Sequence, residues 1–312
     1  MLIVDNKTFN NLNKSSFIAL GSFDGLHLGH LSLVNKVKAL AQNNDGNSII
    51  FTFKNHPRKF INPNNKTELI MTNDEKIEVL KNEKVDILAL IDFNDKIMKM
   101  MPEDFIKLIC EVYKVKGIVV GFNFKFGYKN LGDIELLKRF QKEYNYTLHV
   151  IEPYKLDDEI ISSTNIRKSL IQGNVKKAFQ MLSRPYMLSG KVINGKKLGR
   201  TIGFPTANLE INKEKVIPAK GVYYTNVEIN GEIFKGITSV GNNPTVNGKE
   251  LTVETYILDF DNDIYEKEIR VYFIDRIRDE IKFNNIYELT NQLQKDKKYA
   301  EKANLVVNLK SI

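Results

Sequence analysis

At Ser183-Arg184-Pro185 the hydrophobic rhythm of the chain changes, and no single regular architecture accommodates both sides of the change. Before it, apolar β-rich runs alternate with stretches of helical spacing, the pattern of an α/β domain with a mainly parallel sheet. The spacing predicts strands at Phe17–Gly21, Ser48–Phe53, Asp86–Ile91, Gly117–Gly121 and Thr147–Ile151. It predicts helices at Leu28–Gln42, Asn73–Asn82, Pro102–Tyr113, Ile134–Glu143, Ser163–Gln172 and Val175–Leu182, the second opened by a Thr72-to-Glu75 capping box. After the change, period-two runs at Met187–Ile193, Gly221–Ile229, Glu232–Val240, Leu251–Leu258 and Glu268–Phe273 are joined by polar turns, as in a small antiparallel barrel. A helical tail from Ile286 to about Leu305 carries Ile286, Leu289, Leu293 and Tyr299 as its expected packing face. The reading is therefore of two domains, 1–183 and 184–312, and 312 residues with 42% hydrophobic side chains suffice for two cores.

Composition narrows the setting. Cys110 is the single cysteine of the sequence, so neither an internal disulfide nor a cysteine zinc cage is available, and a reducing, cytoplasmic setting is expected. Residues Met1–Asn10 lack the basic and apolar segments of a leader, and no later run approaches the ~20 apolar residues of a membrane span. The chain is accordingly expected to be neither exported nor membrane-embedded. Its net charge of +8 suits nucleic acid, an acidic surface or polyphosphate ligands. Acidic residues are interspersed with the abundant lysines and no concentrated basic run occurs, so nucleic acid is not an expected partner. The oligomeric state is not legible.

The first chemical constellation follows strand Phe17–Gly21, in GSFDGLHLGH, Gly21 to His30. Glycines let backbone N–H groups approach a ligand, and the helix start that follows favours an anion. Two of the four histidines fall here, His27 and His30, where a loop-to-helix turn can aim both imidazoles at one point. Zinc is a weaker alternative, because His56 and His149 come without metal-ligand spacing. Further on, Ser162-Ser163-Thr164 forms an N-cap cluster able to hold phosphate, with Arg167 one turn later; alone, it is equally an ordinary capped helix.

GSFDGLHLGH resembles the HxGH motif of the nucleotidylyltransferase superfamily, in the form shown by bacterial bifunctional riboflavin kinase/FAD synthetases. VGFNFKFG, Val120 to Gly127, is similar to that family's segment for ATP and flavin, and ISSTNIR, Ile161 to Arg167, to its SSTxIR signature. The resemblance implies a Rossmann-like N-terminal domain that adenylylates FMN to FAD. His27 and His30 would be catalytic, with Gly21, Ser22, Phe23, Asp24, Gly25, Asn123, Ser163, Thr164 and Arg167 binding nucleotide and phosphate. FKNHPRKF, Phe53 to Phe60, departs from the family's usual Pro-His-Pro by carrying Asn55, and Leu31-Ser32 replaces a usual polar residue after His30. Pro57, Phe60 and Phe126 are the flavin contacts implied.

The second constellation is GKKLGRTIGFPTANL, Gly195 to Leu209. Just upstream, GKVINGKK, Gly190 to Lys197, imitates part of a P-loop, but Lys197 stands where Ser or Thr must bind Mg²⁺, and no helix follows. Pro205-Thr206-Ala207-Asn208 reads as a turn. Glu254 falls among Val and Thr on a strand, a costly place for a carboxylate unless it is paired or used. The stretch resembles the riboflavin kinase signature GxxxGRxxGFPTANL, which implies a barrel of about six strands that phosphorylates riboflavin to FMN with ATP. Gly195, Gly199 and Gly203 would bind nucleotide, Thr206 and Asn208 would hold Mg²⁺ with ATP, and Glu254 would be the general base. Thr255-Tyr256 replaces a common Val-His; SVGNNPTV, Ser239 to Val246, and RDEIKF, Arg278 to Phe283, complete the pattern. The expected ligands are riboflavin, FMN, FAD and ATP. The alternatives are a chain with one surviving activity, or a flavin-binding regulatory protein.

Overall fold

The computed structural model describes residues 1–5, 12–62, 67–195, 198–242 and 251–307, without the side chain of Leu198. The chain forms two compact units, Met1–Ser162 and Ser163–Ile312.

In the first unit, among the described residues, strands β1 (Leu2–Val4), β2 (Ser16–Leu20), β3 (Asn47–Phe53), β4 (Ile87–Ile91), β5 (Val115–Gly121) and β6 (Thr147–Ile151) make one sheet in the order β1-β4-β3-β2-β5-β6. Every neighbouring pair is parallel. Helices α1 (Leu28–Asn43), α2 (Pro57–Ile61), α3 (Asn73–Asn82), α4 (Asp95–Met98), α5 (Pro102–Tyr113) and α6 (Ile134–Tyr144) connect the strands, and β7 (Lys155–Leu156) pairs with β8 (Glu159–Ile160).

Alternation along a strand sends successive side chains to opposite faces, and here both faces are covered. Ile18, Leu20, Ile49, Phe51, Ile118 and Val120 pack with Phe105, Ile109 and Leu137 of α5 and α6. Phe17, Ala19, Ile50, Leu88 and Val119 pack with Leu33, Val34 and Val37 of α1 and Leu80 of α3. Double burial is why the strands read as unbroken apolar runs. The Thr72–Glu75 capping box is present in both directions at the start of α3. The edge strand β1 has no counterpart in the sequence reading, since three residues carry too little periodicity.

The second unit begins with α7 (Ser163–Ile171) and α8 (Val175–Leu182). It continues with β9 (Tyr186–Ile193), α9 (Leu198–Thr201), β10 (Thr206–Ile211), β11 (Gly221–Ile229), β12 (Glu232–Asn242), β13 (Leu251–Ile257), β14 (Glu268–Arg278) and α10 (Ile286–Lys302). The strands close an antiparallel barrel in the order β10-β13-β12-β11-β14-β9. α8 buries Val175, Ala178, Met181 and Leu182 and lies against β14 and β9. Lys176 pairs with Asp275 at 2.7 Å, and the Ala219 N–H donates to the Leu170 carbonyl at 3.0 Å. Both helices are thus fastened to the barrel.

Two expectations are corrected. Pro205-Thr206-Ala207-Asn208 is no turn: Thr206–Ile211 is a strand, held between β9 and β13 and closing the barrel. Pairing on both sides overrides the weak strand propensity of Ala and Asn. The packing face of the C-terminal helix also differs in part: Leu289 and Leu293 are half-buried and Tyr299 meets Tyr224 edge-on, but Ile286 is exposed, and Asp296 and Ala300 are the buried residues. Asp296 is buried because Arg278 grips it through Nε and Nη2, the latter at 2.7 Å, and a buried carboxylate is tolerable when so paired. The helix ends at Lys302 rather than near Leu305. Beyond it the chain docks by its backbone, Val306 and Val307 donating to Asn226 Oδ1 at 2.8 and 3.0 Å.

Candidate active sites

In the first unit the chain runs from β2 to β3 and β4 on one side, then returns to place β5 on the other flank of β2. That reversal makes the carboxyl ends of β2 and β5 the crevice where open α/β sheets bind ligands. Gly21–Leu26 leaves β2 there, and the turn carrying Asn123 leaves β5 beside it.

Phe23, Gly25 and Leu26 have φ of +47°, +87° and +40°, a left-handed backbone that costs about 1–3 kcal/mol at each non-glycine residue. Burial and hydrogen bonding hold the turn. Phe23 and Leu26 are fully buried. The buried Asp24 carboxylate accepts from the Ile70 and Met71 N–H groups at 3.1 and 3.2 Å. The Ser22 carbonyl accepts from Thr52 Oγ1 at 2.8 Å and Lys76 Nζ at 3.2 Å. A side chain at Gly25 would combine its positive φ with a 2.9 Å clash against Ile70.

His27 is the N-cap of α1, its Nδ1 accepting from the His30 N–H at 3.3 Å. This leaves Nε2 to carry the proton of a neutral His27 ring. The His27 and His30 rings stack, with centroids 3.7 Å apart and planes 20° apart. Gly29 makes room, since a Cβ there would come 3.2 Å from the His27 ring. The H-x-G-H spacing therefore builds two parallel imidazoles at a helix N-terminus, an arrangement suited to negative charge.

The other candidates in this unit divide. Asn123 is exposed on its turn. Pro57 opens α2 and lines a pocket with Ser22, Asp24, Asn55, His56, Asn73 and Lys76. Phe60 is part-exposed, its ring edge-on to Phe93. Phe126 belongs to the core, between Phe105 and Phe124. Thr52 and Lys76 belong to no motif; the one sequence signal is a lysine in the first turns of α3, where the helix dipole disfavours a cation. Ser163, Thr164 and Arg167 begin α7 and belong to the second unit.

In the barrel, Thr206, Asn208 and Glu254 converge. Asn208 on β10 stands directly opposite Glu254 on β13, and Thr206 opposite Tyr256. Thr255 points inward, where its hydroxyl joins those of Thr238 and Thr225 at 2.9 Å steps in full burial. Alternation therefore places Thr206, Asn208, Glu254 and Tyr256 on the outer face. Gly195 abuts this group, for a Cβ there would come 2.1 Å from Asn208 Nδ2. Gly199 lets the chain pass under the Phe204 carbonyl, and Gly203 takes φ +79°. Phe204 is buried edge-on to Tyr256. Residues 196–197, and residues 243–246 of the SVGNNPTV segment, lie outside the described residues.

Among the described residues no group of three or more His, Cys, Asp or Glu could hold a metal ion, and no helix is long and apolar enough to cross a membrane. The donors at Thr206 and Asn208 are neutral oxygens two residues apart on one strand face, chemistry that fits Mg²⁺ arriving with phosphate ligands.

A family model described as FAD synthetase matches residues 9–165, and one described as riboflavin kinase matches residues 182–304. A bifunctional riboflavin kinase/FMN adenylyltransferase of Haemophilus influenzae is 34% identical over 289 residues, 92% of this chain and 94% of that protein. The protein of the same description from Bacillus subtilis is 34% identical over 91% of each chain. A solved structure described as a macrolide-efflux protein from Streptococcus pneumoniae superposes with a TM-score of 0.90 at 32% identity, covering 97% of this chain and 100% of that one.

Proposed function

The chain belongs to the bifunctional riboflavin kinase/FMN adenylyltransferase family, and from that premise we propose which residues carry each reaction. It is a transferase that phosphorylates riboflavin to FMN with ATP and adenylylates FMN to FAD. Riboflavin phosphorylation belongs to the barrel, and FMN adenylylation to the sheet unit with residues of α7. One observation carries this assignment: His27 and His30 stack in one unit, while Thr206, Asn208 and Glu254 share one face of the other.

At the barrel, Glu254 takes the proton of the riboflavin 5′-hydroxyl as that oxygen attacks the γ-phosphorus of ATP and ADP leaves. Thr206 and Asn208 would hold the Mg²⁺ that accompanies ATP, which when bound would neutralise phosphate charge. Gly195, Gly199 and Gly203 admit the nucleotide phosphates close to the backbone. At the sheet, an FMN phosphate oxygen attacks the α-phosphorus of ATP and pyrophosphate leaves. His27 and His30 stabilise charge on the phosphoryl oxygens, and Ser163, Thr164 and Arg167 grip the departing phosphates. The turn Gly21–Gly25 and Asn123 border the nucleotide, with Pro57 and Phe60 toward the flavin. Phe126 contributes by supporting Phe124 from the core. The positive charge serves these anionic substrates in the cytoplasm rather than nucleic acid or a membrane surface.

Incubating the purified chain with riboflavin, ATP and Mg²⁺ should produce FMN first and FAD afterwards, followed by chromatography of the flavins. FMN without FAD, or FAD only from supplied FMN, would reveal a single surviving activity; neither product would point to a regulatory flavin binder. Gly195→Ala tests the barrel site more finely. The added methyl must displace the Asn208 side chain, so FMN formation should fall about 100-fold, the scale of a misplacement near 1 Å, with melting little changed. An unaltered rate would remove Asn208 from the site.

A further inference from the structure

Lys76 is a costly residue that neither reaction scheme uses. It is 5% exposed, although charged side chains are almost never fully buried without a strong reason. Its ammonium reaches out of α3 to the Ser22 carbonyl at 3.2 Å and to Thr52 Oγ1 at 3.5 Å. The same carbonyl accepts from Thr52 Oγ1, so two donors converge on one oxygen at the root of the strained turn. Three residues later that turn reaches Gly25, and then the His27 cap. Strained backbone persists only where its surroundings over-determine it. Asp24 fixes the turn from one side through Ile70 and Met71, and Lys76 fixes it from the other.

We infer that Lys76 is a positioning residue for adenylyl transfer, anchoring the Ser22 carbonyl so that the Gly21–Leu26 turn presents His27 and His30 to the reacting phosphates. The inference rests on the placement of that reaction at this turn. Burial lowers the Lys76 pKa to about 8, the nearby Asp24 carboxylate offsetting part of the shift. Folded Lys76 therefore releases its proton more readily than an ordinary lysine, whose pKa is 10.5, and between these two values its contribution to stability rises with pH. Its donor strength falls over the same interval. Stability and adenylylation should therefore move in opposite directions as pH rises through 8. Asp24, Lys54 and His56 are the other titratable groups lining the same pocket, so the comparison is between wild type and a Lys76 variant across the pH range.

The test is Lys76→Met, which keeps length and removes the charge. With supplied FMN and ATP, kcat for FAD formation should fall about 10-fold or more while KM values change little. The alkaline fall in rate near pH 8 should disappear, FMN formation at the barrel should persist, and melting at pH 7 should occur at or above the wild-type temperature. Thr52→Val removes the second donor to the Ser22 carbonyl without touching charge and should lower kcat in the same sense; it decides the matter if Lys76→Met does not fold. Wild-type kcat and pH profile in Lys76→Met, or in a folded Thr52→Val when the first variant fails, overturn the inference. If His30→Ala also keeps FAD synthesis, the placement of the reaction fails; if His30→Ala loses it, only the role of Lys76 does.

Discussion

Glu254→Gln should give a folded protein that binds riboflavin and ATP yet forms FMN about 100-fold or more slowly, the usual scale for a positioned base. Glutamine matches the shape and most of the hydrogen bonding of glutamate but accepts no proton from the riboflavin hydroxyl. The position favours a clean result. Glu254 is half-buried on the outer face, opposite Asn208 on one side and Ser239 on the other, while the inward neighbours Val253 and Thr255 carry the packing. FAD formation from supplied FMN should continue, because Glu254 has no part in that reaction. The rate of FMN appearance, measured with the melting curve, decides the outcome. Wild-type phosphorylation would deny proton transfer, and loss of the melting transition would make Glu254 structural.

His30→Ala should depress FAD formation by about 100-fold or more, as loss of a preorganised donor to a transition state does. The substitution leaves the His30 N–H that caps onto His27 Nδ1 but removes the ring stacked at 3.7 Å, so His27 also loses its lateral support. FMN production from riboflavin should be retained, and the melting curve serves as the control for folding. Near-normal FAD synthesis at saturating ATP would exclude the histidine pair from the chemistry.

Legibility in the sequence followed the range of the forces involved. The parallel sheet was readable because both of its faces are buried, leaving continuous runs such as Ser48–Phe53 between helical stretches. The H-x-G-H turn was readable because neighbours in sequence make it. Strand β10 was not, since Thr206–Ile211 owes its conformation to partners on β9 and β13 rather than to its own residues. Nor was the inward face of α10, where the decisive contact is the Arg278 grip on Asp296. Asn208 and Glu254 could each be picked out by resemblance, but their direct opposition depends on strand register. Lys76 shows in the sequence only as an ill-placed cation near the start of α3, its partner carbonyl lying far away along the chain.

The allegiance of α7 and α8 bears on how such a chain can be divided. Ser163, Thr164 and Arg167 begin a helix whose compact unit is the barrel's. A recombination joint after Ser183 would strip the barrel of Lys176 on Asp275 and of the apolar side of α8. A crossover point that leaves the barrel whole therefore falls before Ser163, well ahead of the place where the hydrophobic rhythm changes, and the heritable module of this chain is larger than its barrel.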